Sequence, residues 1–99
     1  MWARVARYEV EPERLDAAVD GFTAAADALA ELKGTRGGYL LVDREDGAAM
    51  TVTLWENYEC LAASEVAAAG LRKRAMDQAD GLVSSVGSYE VAAEFGNDA

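Results

Sequence analysis

Arg72, Lys73 and Arg74 stand in a row and are the only basic cluster in the chain. Set in a helical stretch, such a run presents either a solvated helix face or a place for a small anionic ligand. A second useful pattern lies at Thr51, Thr53 and Trp55, where alternation puts two hydroxyls and an indole on one strand face. Thiol and imidazole chemistry have little to work with. Cys60 is the one cysteine and histidine is absent. No internal disulfide can form, a thiol nucleophile would lack its usual base, and every histidine-based triad or metal site falls away. Cys60 therefore reads as packing, no metal site is expected, and no proton-handling catalytic residue declares itself.

The charge balance narrows the partners. Eighteen Asp and Glu stand against nine Lys and Arg, a net charge of −9. Nucleic acid and anionic membrane surfaces need a basic footprint, so neither is expected. The 99 residues set the size of one domain, spanning residues 1–99, and a hydrophobic content of 52% is enough to build a core. Residues 1–10 interrupt their apolar positions with Arg4 and Arg7, unlike a signal peptide, and no apolar run is long enough to span a bilayer. A lone cysteine suits a reducing compartment, which makes the cytoplasm the expected location.

The elements that must position these residues follow from periodicity. Residues 2–10 alternate as a strand. Glu11, Pro12 and Glu13 stop it and open a helix, since proline suits a first helical turn and acids suit its positive end. Leu15, Ala18, Val19, Phe22, Ala26, Leu29 and Leu32 then recur at spacings of three and four, one apolar stripe that Lys33 and Gly34 close. Gly37 and Gly38 lead into a strand over 39–44, Glu45, Asp46 and Gly47 turn the chain, and a second strand runs over 49–56. In that strand Met50, Val52 and Leu54 form the face expected to meet the helices, with Thr51, Thr53 and Trp55 on the open side. Residues 58–79 read as a helical region broken near Gly70. A last strand is expected over 82–95, with Tyr89, Val91, Ala93 and Phe95 on one face, before a loose tail at 96–99.

The order β-α-β-β-α-β is the α+β, ferredoxin-like pattern, whose crossovers place both helices on one face of a four-stranded antiparallel sheet. The other face is left bare. An uncovered face carrying large side chains predicts a homodimer formed sheet to sheet.

Four stretches together resemble the antibiotic biosynthesis monooxygenase-like family of dimeric α+β barrels. They are Tyr8-Glu9-Val10 followed by Pro12, the Gly-Gly-Tyr-Leu-Leu-Val-Asp run over 37–43, Thr-Leu-Trp-Glu over 53–56, and Tyr89-Glu90-Val91. The resemblance covers nearly the whole chain and speaks for fold more than for activity. Its haem-degrading branch uses an axial histidine, which this chain lacks. Its cofactor-free branch implies oxidation of a small phenolic, anthrone-like or quinonoid aromatic in a dry pocket, with no cofactor. Trp55 and Asn57 resemble the Trp and Asn that line that pocket, with Tyr58, Tyr39 and Arg72 as further donors. Each residue also has a plain structural role: Trp55 as core or interface packing, Asn57 as a helix N-cap, the tyrosines as packing, and Arg72 in solvent. Two functions stand side by side at this point: a cofactor-independent monooxygenase, and a non-catalytic dimeric protein that binds a small ligand or serves as an accessory component.

Overall fold

The computed structural model describes residues 1–96. Strand β1 (Trp2–Glu9) leads through a 3-10 turn (Pro12–Arg14) into helix α1 (Leu15–Ala30). Strands β2 (Thr35–Asp43) and β3 (Ala48–Trp55) form a hairpin, followed by α2 (Tyr58–Ala63), α3 (Glu65–Ala79) and β4 (Leu82–Glu90). The strands make one antiparallel sheet in the order β2-β3-β1-β4, the ferredoxin-like arrangement read from the sequence. Among the described residues, no helix is long and apolar enough to cross a membrane.

Helices and sheet meet around the buried Ala6, Tyr8, Leu15, Ala18, Phe22 and Met76. Small residues let the helices approach closely. A Cβ on Gly21 of α1 would lie 3.1 Å from the Ala75 Cα of α3, tighter than ordinary contact. The Tyr8 and Phe22 rings pack at 5.0 Å between centroids, tying β1 to α1.

The face assignment within the sheet is the reverse of the expected one. Register pairs Arg4 with Thr53, Ala6 with Thr51 and Trp2 with Trp55, so these residues share a side. That side faces the helices, because Ala6 is in the core and Arg4 bonds to Leu61 and Ser64. The apolar side chains of Met50, Val52 and Leu54 lie on the open side, together with Val5, Tyr39 and Leu41. Period-2 alternation says which residues share a face and leaves open which face the helices take. The hydroxyls are tolerated inside because each finds a partner. Tyr8 Oη and Thr51 Oγ1 are 2.8 Å apart, and Trp55 Nε1 donates to Thr53 Oγ1 at 3.0 Å.

Further boundaries differ from expectation: α1 ends at Ala30, short of Leu32, and β2 begins at Thr35 rather than at residue 39. The second helical region breaks at Ser64, and Gly70 sits inside a continuous α3. The cause is the buried Arg4, whose Nη2 donates to the Leu61 carbonyl at 2.7 Å. Ser64 Oγ donates to the same oxygen at 2.7 Å. A carbonyl engaged in this way does not serve a regular helical ladder, whereas an exposed glycine costs only about 1 kcal/mol and interrupts no bond. Strand β4 ends at Glu90 because its partner β1 begins at Trp2, and the two are paired. Beyond it Val91 N donates to Met1 O at 3.0 Å, and residues 91–95 are irregular with Phe95 exposed. Of the tail expected at 96–99, Gly96 lies in a bend and 97–99 fall outside the described residues.

Candidate functional site

The helix-facing side of β3 supplies the floor of a cavity. Trp55, at the strand's end, is 0% exposed and is held by its indole bond to Thr53. Above it stands the C-terminal half of α1, where the stripe at spacings of three and four delivers Phe22, Ala26 and Leu29 to one side. The start of β2 makes a wall of Thr35, Gly37, Gly38 and Tyr39. Gly37 has φ +89°, a left-handed conformation that suits glycine, and the β2–β3 register slips between Thr35 and Gly38. A Cβ on Gly38 would collide with the Val52 carbonyl oxygen, so backbone alone can stand there. The space is open to solvent on one side and has a volume of about 350 Å³. Its lining is mostly apolar, with the Thr23, Thr35, Thr51 and Thr53 hydroxyls among its polar groups, while Tyr39 borders it from the strand with its side chain on the open face of the sheet.

A smaller recess adjoins this cavity and shares Phe22, Leu29, Thr51 and Thr53 with it. Arg4 of β1 and Arg72 of α3 also line the recess. Arg4 is 3% exposed, and its guanidinium is fixed on several sides. Nη1 donates to Ser64 Oγ at 3.1 Å, Nη2 to the Leu61 carbonyl, and Nη2 pairs with Glu65 Oε2 at 2.8 Å. The Arg4 guanidinium carbon also stands 5.6 Å from the Trp55 ring centroid, within cation–π range. Glu65 Oε1 meets Arg72 Nη2 at 3.0 Å, so one carboxylate bridges two cations.

Burial lowers the pKa of Arg4 from its ordinary value, with the Glu65 charge opposing that shift. The guanidinium remains charged at neutral pH, as arginine does in proteins. Burial pushes the Tyr8 phenol up, so it stays protonated beside Thr51.

The residues singled out in the sequence are only partly brought together. Trp55 and Tyr39 line the cavity, with Tyr39 68% exposed. Arg72 lines the adjoining recess. Asn57 stands apart as the N-cap of α2, its Oδ1 accepting from Cys60 N at 2.9 Å. It borders a separate surface groove with Lys33, Glu56 and Cys60. Tyr58 packs edge-on against Trp2, 4.9 Å between centroids, and lines neither space. Sequence reasoning missed Arg4 as a site residue and set Thr51 and Thr53, which it singled out, on the open side of the sheet. The available signal was the alternation Arg4-Ala6-Tyr8, which sets a guanidinium on the same face as a small apolar residue and an aromatic.

No family model matches the sequence, and no curated protein matches it. Solved structures do match in fold. SnoaB from Streptomyces nogalater, a cofactor-independent oxygenase, is 17% identical with a TM-score of 0.72, over 96% of each chain. The haem-degrader MhuD from Mycobacterium tuberculosis is 22% identical at a TM-score of 0.73, over 97% of this chain and 100% of that one. A Deinococcus radiodurans structure carrying the name antibiotic biosynthesis monooxygenase is 14% identical at 0.74, over 95% of both. The chain thus has the antibiotic biosynthesis monooxygenase-like fold.

Proposed function

We propose that the chain is a cofactor-independent monooxygenase for a small, flat phenolic, anthrone-like or quinonoid substrate. The observation that carries this reading is the cavity of about 350 Å³ between α1 and β2–β3, a size that suits small-molecule ligands. Phe22 and Leu29 offer apolar contact to a ring system above the buried Trp55, and the Thr51 and Thr53 hydroxyls offer hydrogen bonds to its oxygens. The similarity in fold to a cofactor-independent oxygenase supports the same reading. Lacking any histidine, the chain does not carry the axial ligand named above for haem degradation.

In this chemistry an anthrone methylene loses a proton, and the carbanion gives an electron to dioxygen. Radical recombination forms a C–O bond, and loss of water leaves the carbonyl. One oxygen atom enters the product and the other leaves as water, with the substrate as reductant. The protein's part is to hold the ring, exclude water and stabilise negative charge on the substrate oxygen.

A second reading has its own support. Among the described residues, the cavity lining holds no carboxylate, lysine or histidine that could face a bound ring as a strong base. A dimeric ligand-binding protein without turnover fits that lining. In either case, we propose that the open sheet face of Val5, Tyr39, Leu41, Met50, Val52 and Leu54 is covered by a second copy of the chain.

The test is oxygen consumption by metal-stripped protein against a panel of anthrones and hydroquinones, with Leu29→Trp as the cavity-filling control. Turnover that Leu29→Trp abolishes supports the oxygenase. Ligand binding that Leu29→Trp blocks, with no oxygen uptake, transfers the site to the binding reading.

A further inference from the structure

A threonine hydroxyl carries one donor hydrogen and two acceptor lone pairs, and what a ligand meets depends on which of these the protein has already used. On the cavity floor the acceptor side is used. The Trp55 indole nitrogen can only donate, so its 3.0 Å bond makes Thr53 Oγ1 the acceptor. The 2.8 Å bond between Tyr8 and Thr51 could run in either sense, and burial decides it. Tyr8 is 2% exposed, and its phenol has no acceptor other than Thr51 among the described residues. Were Thr51 the donor, the phenol O–H would be buried without a partner, a costly arrangement that native proteins seldom keep. Thr51 is half-buried and borders the cavity, where its own hydrogen can be satisfied. Tyr8 therefore donates and Thr51 accepts.

Each hydroxyl is left with one O–H and one lone pair, and the two differ in weight. An oxygen that already accepts a bond loses little when its second lone pair stays empty, whereas an O–H without an acceptor is costly. With those bonds made, neither threonine O–H reaches an acceptor among the described residues. Thr51 and Thr53 stand two apart on one face of β3, about 6.5 Å along the strand, so their donors form a pair on the cavity floor. Oxygens at opposite ends of one six-membered ring can meet such a pair. The Phe22, Ala26 and Leu29 side chains around it hold nothing that accepts a hydrogen bond from a ligand.

We propose that Thr51 and Thr53 are a specificity-determining pair that selects a ring carrying carbonyl oxygens, as in a para-quinone, over the corresponding hydroquinone. Tyr8 and Trp55 are the positioning residues that hold the two hydroxyls in the donor sense. Selection of this kind rests on the cavity being the ligand site of the oxygenase reading, and it narrows the substrate class given there to rings that present acceptors. A hydroquinone oxygen can also accept from the threonines, but its own hydrogens then meet apolar walls.

The probes are duroquinone, whose fully methylated ring cannot alkylate Cys60, and its hydroquinone, each titrated calorimetrically in the absence of oxygen. The quinone should bind about tenfold more tightly, the worth of one hydrogen bond made rather than left unmade. Thr51→Val and Thr53→Val should each lower quinone affinity about fivefold with little effect on the hydroquinone, collapsing the ratio. Thr51→Ser and Thr53→Ser keep the hydroxyl and should keep the ratio. Tyr8→Phe returns a lone pair on Thr51 to the ligand, so hydroquinone affinity should rise while quinone affinity holds; a merely structural loss would weaken both alike. Should a valine variant misfold, Tyr8→Phe still decides. Equal affinities, a preference for the hydroquinone, a ratio that valine leaves intact, or no binding of either probe overturns the selector. Oxygen uptake on anthrones without the quinone preference would remove the selector and leave the oxygenase standing. The preference without oxygen uptake on any substrate would do the opposite.

Discussion

Trp55→Phe is the substitution whose cost can be worked most directly from the structure. The indole is 0% exposed, donates to Thr53 and lies in cation–π range of Arg4. Phenylalanine has two fewer ring carbons and no N–H. At about 0.8 kcal/mol per buried carbon the lost packing comes to about 1.6 kcal/mol. The indole hydrogen bond adds about 1 kcal/mol. The weaker cation–π contact adds about 0.5 kcal/mol, for a total near 3 kcal/mol. For a domain of this size that corresponds to a fall in Tm of about 12–24 °C. Calorimetry at one fixed protein concentration is the assay, since self-association also moves Tm. Thr53→Val serves as partner in a double-mutant cycle. The two changes should be non-additive by about 1 kcal/mol, because the second has no bond left to break. A Trp55→Phe shift below about 4 °C would refute the reasoning that the indole is an anchored part of the cavity floor.

Three further outcomes are expected. Val52→Lys, in the open face opposite Val5 and Tyr39, should convert a dimer to a monomer in sedimentation velocity, whereas an unchanged sedimentation coefficient would locate any interface elsewhere. Tyr8→Phe should cost about 1 kcal/mol at pH 7 through the lost Thr51 bond. Tyr8 has its pKa raised above 10.0 in the folded chain, so its contribution is complete below that pH. As pH rises above it the unfolded chain loses the proton first, and stability falls until the folded pKa is passed. Urea unfolding from pH 7 to about 10.5 should show a shallower alkaline loss in Tyr8→Phe than in the parent. Gly21→Val should lower stability by about 1–3 kcal/mol in thermal melts, since its branched carbon enters the 3.1 Å contact with Ala75.

Element order was legible in the sequence because it depends on local signals. Pro12 set the turn into α1, the stripe from Leu15 through Leu29 marked the helix, and Glu45 to Gly47 marked the hairpin. What failed depended on the third dimension. Which side of β3 the helices would take hinged on Thr51 and Thr53 finding partners in Tyr8 and Trp55, a match no hydropathy count reveals. The break at Ser64 came from Arg4, sixty positions away in the chain. The candidate site was half visible for the same reason. Trp55 and Arg72 were picked out by type, but Arg4 becomes a site residue only when β1 and α3 bring it beside Arg72 and Glu65.

The bare backbone at Gly37 and Gly38 bears on how this cavity can be reshaped. A side chain at Gly38 would run into the backbone of the neighbouring strand, and Gly37 holds a left-handed turn, so that wall cannot be retailored by ordinary substitution. The opposite wall is a helix surface, where Thr23, Ala26 and Ala30 are small and exposed. Variation in ligand preference, whether by natural divergence or by directed selection, is therefore channelled onto α1. A library at those three positions would sample the breadth of ligands this scaffold can accept while leaving the sheet untouched.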